Sequence, residues 1–250
     1  LTDAARLLQG GELLGEGSFG ATWRVDDRVV KVAGPAWREA LPWGVPREIE
    51  VMQRGLVHPN IAPFVEHGSL DDGRPWLAMA YVKGTPLRTL LIGDDPPDVR
   101  AAVGITRAIG EALAAAHAVG VLHSDVNIQN VIVPPRADGA TLVDWGIAAL
   151  VDPDGDRTTT ARFKSGTPRY AAPEQRTPGF HSPATDVWGL GTLLFCMLYG
   201  TTPFGRSDLA RDTLAIPPGH PDLEKAISVA LAPRPADRCA LAELLGMLGG

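Results

Sequence analysis

His123-Ser-Asp-Val-Asn-Ile-Gln-Asn130, followed by Asp144-Trp-Gly146, is the stretch on which the reading of this 250-residue chain turns. Asn130 immediately precedes an apolar run, Val131-Ile-Val133. The turn-rich Pro134-Pro-Arg-Ala-Asp-Gly139 follows, and a second apolar run, Thr141-Leu-Val143, delivers Asp144. Two antiparallel strands joined by such a turn bring the start of one beside the end of the other, so Asn130 and Asp144 are expected to be neighbours. A carboxylate beside an amide oxygen is a seat for a hard cation such as Mg2+, which prefers oxygen ligands and bridges phosphates. Asp125, five residues before Asn130, is placed to hold a hydroxyl.

The rest of the composition narrows the class. Apolar residues make up 45% and charged residues 21%, ordinary values for a globular protein, and the length suits one domain or two lobes. A net charge of −6, without any Lys/Arg run, argues against nucleic acid as the partner. Cys196 and Cys239 lie far apart in no metal-ligand spacing and read as reduced core residues, in keeping with a reducing, cytoplasmic compartment. The longest apolar run, Val187 to Tyr199, falls short of the roughly 18–20 residues a spanning helix needs. No secretory signal opens the chain. Its first residue is Leu1, not Met, which fits a processed or excised piece whose flanks could hold an anchor or sensor.

Along the chain, strand patterns dominate first. Glu12 to Leu14 and Thr22 to Val25 flank Gly15-Glu-Gly-Ser-Phe-Gly20. Asp26-Asp27 is a tight turn before a strand over Arg28 to Val32, and Ile61 to Glu66 and Trp76 to Val82 read as two more strands. Pro46 to Gln53 reads as a helix begun by proline. Beyond Lys83-Gly84 the pattern is helical. Asp98 to Val119 carries Ala102, Ile105, Ile109, Leu113 and Ala116 at spacings of three and four, with Gly120 as terminator. Further helices are expected over Asp186 to Tyr199, Asp222 to Ala232 and Ala240 to Leu248. A hinge near 82–86 would join a small strand-rich lobe, 1–82, to a larger helical one, 83–250.

The glycine segment opens a strand where a dinucleotide-binding fingerprint opens a helix. In a strand-turn-strand, glycines let backbone N–H groups approach phosphate oxygens closely. Lys31 is one of only four lysines and lies in the apolar strand Val29-Val-Lys-Val32, which directs it into a cleft where an ammonium binds α- and β-phosphates. It needs an acidic partner. Glu48 is the candidate and Glu50 the rival, with the helical phase of Ile49 and Met52 favouring Glu48.

Taken singly, Asp125 is a loop carboxylate, Asn130 a turn former and Asp144 a helix cap. Taken in order, the chain resembles the bacterial eukaryotic-like (Hanks-type) serine/threonine protein kinases. The motifs are the glycine loop, Val-x-Lys31, Arg47-Glu48-Ile49 before His58-Pro59-Asn60, Met79-Ala-Tyr-Val82, the catalytic loop and Asp144-Trp-Gly146. Gly166-Thr-Pro-Arg-Tyr-Ala-Ala-Pro-Glu174, Asp186-Val-Trp-Gly-Leu-Gly191 and Arg238 complete the set. The resemblance implies an α+β, bilobal fold and ATP- and Mg2+-dependent (or Mn2+-dependent) phosphorylation of serine or threonine on a protein substrate, including autophosphorylation. It implies that Gly15, Gly17 and Gly20 cover phosphates, that Lys31 pairs with Glu48, and that Met79, Ala80, Val82 and Ile132 surround adenine. Asp125 resembles the base, Asn130 and Asp144 the metal ligands, and Thr167 the threonine that bonds the base. Asp186 resembles the aspartate that fixes the catalytic-loop backbone, and Arg238 the partner of Glu174. Met52, Phe64, His123 and Trp145 resemble a regulatory apolar stack. A small-lobe homodimer rests on the same analogy.

Four positions depart from the pattern. Ser124 stands where many kinases carry an arginine that grips a phosphorylated activation loop, so dependence on phosphorylation of Thr158, Thr159 or Thr160 is expected to be weak. Asn127 replaces a catalytic-loop lysine, leaving an amide without charge, with Arg162, Lys164 or Arg169 as candidate compensators. Thr22 replaces a valine above adenine, and Trp145 replaces phenylalanine. The segment between Thr201 and Pro221 is short for a substrate-docking helix. The rival reading is a nucleotide-binding pseudokinase that signals by conformation. A small-molecule kinase is disfavoured by the intact Gly166 to Glu174 segment.

Overall fold

A computed structural model describes residues 3–40, 42–94, 96–135, 139–151, 167–176, 181–204 and 214–249. Thr158, Thr159, Thr160, Arg162, Lys164 and Gly166, and part of the turn after Val133, lie outside the described residues. The chain begins with a short helix α1 (Asp3–Leu7), then β1 (Glu12–Gly17), β2 (Gly20–Val25), β3 (Arg28–Ala33), helix α2 (Val45–Gln53), β4 (Phe64–Ser69) and β5 (Pro75–Ala80). These five strands form one antiparallel sheet in the order β1-β2-β3-β5-β4. The alternation of Val30 and Val32 with Lys31 sends the two valines to one face, where they are buried with Leu70 and Ala78 and covered in part by Ala4, Leu7 and Leu8 of the N-terminal segment. Lys31 faces the other side, towards α2.

The second lobe follows as β6 (Thr85–Pro86), α3 (Leu87–Ile92), α4 (Val99–Ala118), β7 (Val121–Leu122), β8 (Val131–Val133), β9 (Thr141–Leu142), β10 (Ala149–Leu150), α5 (Pro183–Tyr199), α6 (Pro221–Ala230) and α7 (Leu241–Met247). Asp98 caps α4 by accepting from the Ala101 N–H at 2.7 Å, and Gly120, at φ 71°, ends it in the left-handed region that glycine adopts without strain. Ile105, Ile109 and Leu113 are fully buried against α5, whose Leu190, Leu193 and Trp188 are equally inaccessible. Each such side chain contributes about 1.5–3 kcal/mol on removal from water, so these two helices form the stable frame on which the loops of the site are mounted. This is the bilobal α+β arrangement expected from the sequence. Among the described residues no helix is long and apolar enough to cross a membrane.

Two elements differ from the sequence reading for identifiable reasons. The strand expected over Ile61 to Glu66 begins only at Phe64. Pro63 has no N–H to donate, its carbonyl accepts from Ala80 at 2.8 Å, and Ile61 forms an isolated bridge with Leu142 of the other lobe. Within β4 a register shift between Phe64 and Glu66 breaks the alternation. Phe64 is left 37% exposed beside the His67 ring, so it does not join Met52, His123 and Trp145 in a buried stack as expected. His123 and Trp145 do stack, edge to face at 4.6 Å.

Candidate active site

The glycine segment is a tight hairpin, with Gly17 paired to Gly20. Gly20 has φ 140°, and a Cβ there would lie 2.0 Å from the Val32 carbonyl oxygen, so no other residue fits. A Cβ on Gly15 or Gly17 would meet nothing within 4 Å, and both glycines line open space. Phe19, at the hairpin tip, packs against Gly44 at the start of α2. The N–H of Gly44 in turn donates to the Gly146 carbonyl at 2.7 Å, tying α2 to the Asp144-Trp-Gly146 turn.

Beneath this hairpin the charged groups converge. Lys31 Nζ donates to both carboxylate oxygens of Glu48 at 2.9 Å and to Asp144 Oδ1 at 3.1 Å. Glu48 is 1% exposed and also accepts from the Trp145 backbone N–H at 3.2 Å, while Glu50 turns outward to Arg47. Burial alone lowers the Lys31 ammonium, but Asp144 and Glu48 more than offset it and hold it protonated well above the usual lysine range. Lys31 likewise draws the half-exposed Asp144 below its ordinary value. Burial pushes Glu48 upward, with Lys31 opposing.

Asp125, in the other lobe, is held beside Asn130 and Thr167. Its Oδ1 accepts from the Thr167 N–H at 2.8 Å, and its Oδ2 from Thr167 Oγ1 at 3.3 Å and Asn130 Nδ2 at 3.2 Å. Asn130 Nδ2 also donates to the Asp125 carbonyl at 2.9 Å, which leaves Oδ1 as the accepting end of the Asn130 amide. The β8–β9 hairpin places Val131 opposite Leu142, and the Val143 N–H donates to the Asn130 carbonyl at 2.9 Å, so Asp144 follows directly beside Asn130. Asp144 and Ser124 both hold positive φ, 67° and 65°, a strain of about 1–3 kcal/mol each that the surrounding bonds must sustain.

For Ser124 those bonds come from three directions. Asp186, fully buried, accepts from the N–H groups of His123 (3.0 Å) and Ser124 (2.8 Å) and bonds His117 Nε2 at 2.8 Å. Burial pushes the Asp186 carboxyl up, yet His117 and these neighbours outweigh it and hold it below the usual range. Gln175 Nε2 donates to the Ser124 carbonyl at 2.7 Å, and His181 Nδ1 bonds Ser124 Oγ at 2.9 Å. Asn127 is 1% exposed and lines neither cavity. Its Nδ2 donates to the Asp125 carbonyl and Thr167 Oγ1, and its Oδ1 accepts from the Gln129 N–H. It braces the loop and does not extend into the open space.

A cavity of about 330 Å³ runs from Lys31, Asn130 and Asp144 past Thr22 and Ile132 to Met79, Ala80 and Val82. Ala80 and Tyr81 donate their N–H groups to Pro63 and Asp27, whereas no backbone carbonyl of the described residues takes that of Val82. A second cavity of about 420 Å³ lies under the glycine hairpin and shares Gly15, Thr22, Lys31, Gln129 and Asp144 with the first. One long, mainly apolar slot thus leads to a polar end bearing one cation and two oxygen ligands. A planar base with a phosphate tail and a small hard ion fits this donor set. Sequence reasoning overlooked Gln129, which lines both cavities, and His117, Gln175 and His181. Gln175 and His181 reach the loop from over fifty residues away, a distance no local motif spans.

Comparison with known proteins agrees with this geometry. The profile described as "Protein kinase domain" matches residues 8–217, and the chain belongs to that family. It groups with bacterial serine/threonine kinases. It is 34% identical to serine/threonine-protein kinase pkn3 of Myxococcus xanthus over 217 residues (79% of this chain, 39% of that protein). With PknK of Mycobacterium tuberculosis the identity is 34% over 266 aligned positions (97% and 24%), and with PkaB of Streptomyces coelicolor 35% over 266 (96% and 63%). The chain therefore spans from about a quarter to under two thirds of the length of these relatives.

Proposed function

We propose that this chain transfers the γ-phosphoryl group of ATP to serine or threonine hydroxyls of proteins, including its own, with Mg2+ as the ion. The observation that carries the reading is the placement of Lys31 Nζ between Glu48 and Asp144, in the cavity also lined by Asn130, whose amide holds Asp125. The Val82 N–H and the slot beside Met79, Ala80 and Ile132 suit an adenine edge and face. Lys31 binds α- and β-phosphate oxygens and is kept charged and aimed by Glu48. Asp125, fixed by Thr167 and Asn130, accepts the proton of the attacking hydroxyl. The new bond joins that oxygen to the γ-phosphorus as the bond to the ADP oxygen breaks. Asn130 Oδ1 and Asp144 would hold the ion, which when bound neutralises charge on the bridging phosphate oxygens.

Asn127 acts as a positioning residue. With its amide committed inside the loop it supplies no charge at the transferring group, and one missing stabilising donor commonly costs about 10²–10³ in rate. That same observation favours the second reading, a nucleotide-binding scaffold. Ser124 offers no cation for a loop phosphate and is already held by Gln175 and His181, which supports activity without loop phosphorylation. We place the pivot between lobes at residues 82–83. The free thiols of Cys196, pushed by burial up to about 12, and Cys239 accord with the cytoplasm, where ATP is found. Incubation with labelled ATP and Mg2+, beside the Asp125→Asn variant, separates the two readings. Incorporation well above the variant supports the kinase, and equal incorporation supports the scaffold.

A further inference from the structure

Two exposed arginines, Arg88 and Arg169, lie in segments joined to the catalytic loop. Arg88 is the second residue of α3, and its N–H donates to the Ile128 carbonyl at 2.9 Å, pinning that helix start against the catalytic loop three residues beyond Asp125. Arg169 stands two residues after Thr167, whose N–H and hydroxyl hold Asp125. Both side chains are exposed, and neither forms an ion pair with any described residue. They come from distant segments, one tied to the catalytic loop through Ile128 and the other following Thr167. Burial and Cys196 push the Tyr170 phenol up to about 12, and Arg169 and Arg88 both oppose that rise. Tyr170 is itself fixed, its carbonyl accepting from Trp188 Nε1 at 3.1 Å.

The neighbouring charges reinforce the pattern. The catalytic loop from His123 to Asn130 has no carboxylate besides Asp125, and Gln129 and Asn127 are neutral. In sequence, Thr167 to Ala172 carries Arg169 and no Asp or Glu, in a chain whose net charge is −6. A positive lip on a negative protein attracts an oppositely charged chain and repels a basic one.

We propose that Arg88 and Arg169 are specificity-determining residues that select acceptor peptides with Asp or Glu within a few residues of the phosphorylated serine or threonine. The inference rests on the kinase reading above and deepens it. An extended peptide advances about 3.3 Å per residue, so carboxylates two or three positions from a hydroxyl at Asp125 lie about 7–10 Å from it, a span that long arginine side chains from these two segments can cover.

The test uses two serine peptides matched in length, one flanked by Asp and Glu, the other by Lys and Arg. The acidic peptide should have the higher kcat/KM, about tenfold at low salt, with the difference in KM and shrinking at about 0.3 M salt. Arg88→Ala and Arg169→Ala should each lower the acidic-to-basic ratio about two- to fivefold, and the paired reversal Arg88→Glu/Arg169→Glu should invert it. A parallel arm measures fluorescence anisotropy of the labelled acidic peptide with its serine changed to alanine, which reads binding without chemistry. Melting curves confirm that each variant is folded. Transfer with a ratio within about twofold of unity, or a ratio untouched by the reversal, overturns the proposal while the kinase reading stands. Charge-selective binding abolished by the reversal, in a protein that transfers nothing, upholds the recognition site and removes the kinase reading. Absence of both discards the two together.

Discussion

Arg238→Ala should unfold the second lobe at a markedly lower temperature than the parent chain. All five N–H donors of this guanidinium are used. Nη1 and Nη2 meet Glu174 Oε1 and Oε2 at 2.7 and 2.8 Å, and the remaining bonds reach the carbonyls of Ala184, Pro233 and Ala232 at 2.8–3.0 Å. The side chain is wholly inaccessible, and its guanidinium lies 4.8 Å over the Trp188 ring. Removing one partner of a buried pair leaves the other charge uncompensated and costs about 3–5 kcal/mol. In a chain of this size each kcal/mol moves the midpoint by about 2–4 °C, so a fall of about 6–20 °C is expected. Arg238→Lys keeps the charge but loses the fork and should fall in between. Thermal melts followed by circular dichroism, repeated with Glu174→Gln and the double variant, give the coupling directly. A midpoint within about 2 °C of the parent for Arg238→Ala would refute the reasoning.

Further outcomes follow from the same geometry. Trp145 and Trp188 are both fully buried, but the Trp145 indole N–H has no partner among the described residues, whereas that of Trp188 donates to Tyr170. Trp188→Phe should therefore cost about 1–3 kcal/mol more than Trp145→Phe in urea titrations, and equal costs would contradict the assignment. Replacing Thr158, Thr159 and Thr160 together by alanine should leave most transfer activity in place, because Ser124 offers no cation to a loop phosphate. A folded variant with nearly none would show the opposite. Lys31 holds Asp144 below the ordinary aspartate value of about 3.9, so its stabilisation is present above that pH and lost as pH falls through the lower folded value. Asp144→Asn should consequently flatten part of the acid limb of the stability curve below about pH 4, and an unchanged limb would count against the ion pair.

Much of this architecture is legible in the sequence because it rests on local rules. The three- and four-residue spacing from Ala102 to Ala116 specifies α4, and two apolar runs around a proline-rich turn specify the hairpin that sets Asn130 beside Asp144. What escaped depends on partners distant in sequence. The two-residue strands β6, β7 and β10 carry no periodicity of their own and exist because a neighbouring strand pairs with them. The kinase resemblance implies a place for Phe64 in the apolar stack, but the register shift between Phe64 and Glu66 changes the face it occupies. In sequence Asn127 is an uncharged replacement for a catalytic-loop lysine, and the curl of its own loop spends both ends of its amide on Asp125, Thr167 and Gln129. The clamp of His117, Gln175 and His181 around Asp186 and Ser124 likewise becomes visible only once α4, α5 and the segment before α5 are packed together.

The most direct test is to incubate the purified chain with ATP and Mg2+, map phosphorylated residues by mass spectrometry, and repeat with Asp125→Asn. The account predicts phosphoserine or phosphothreonine on the chain or an added acceptor protein, reduced about 10²–10⁴-fold in the variant, which keeps the fold but has no base. Phosphate incorporation no greater than in the variant, in protein that still binds nucleotide, would contradict it.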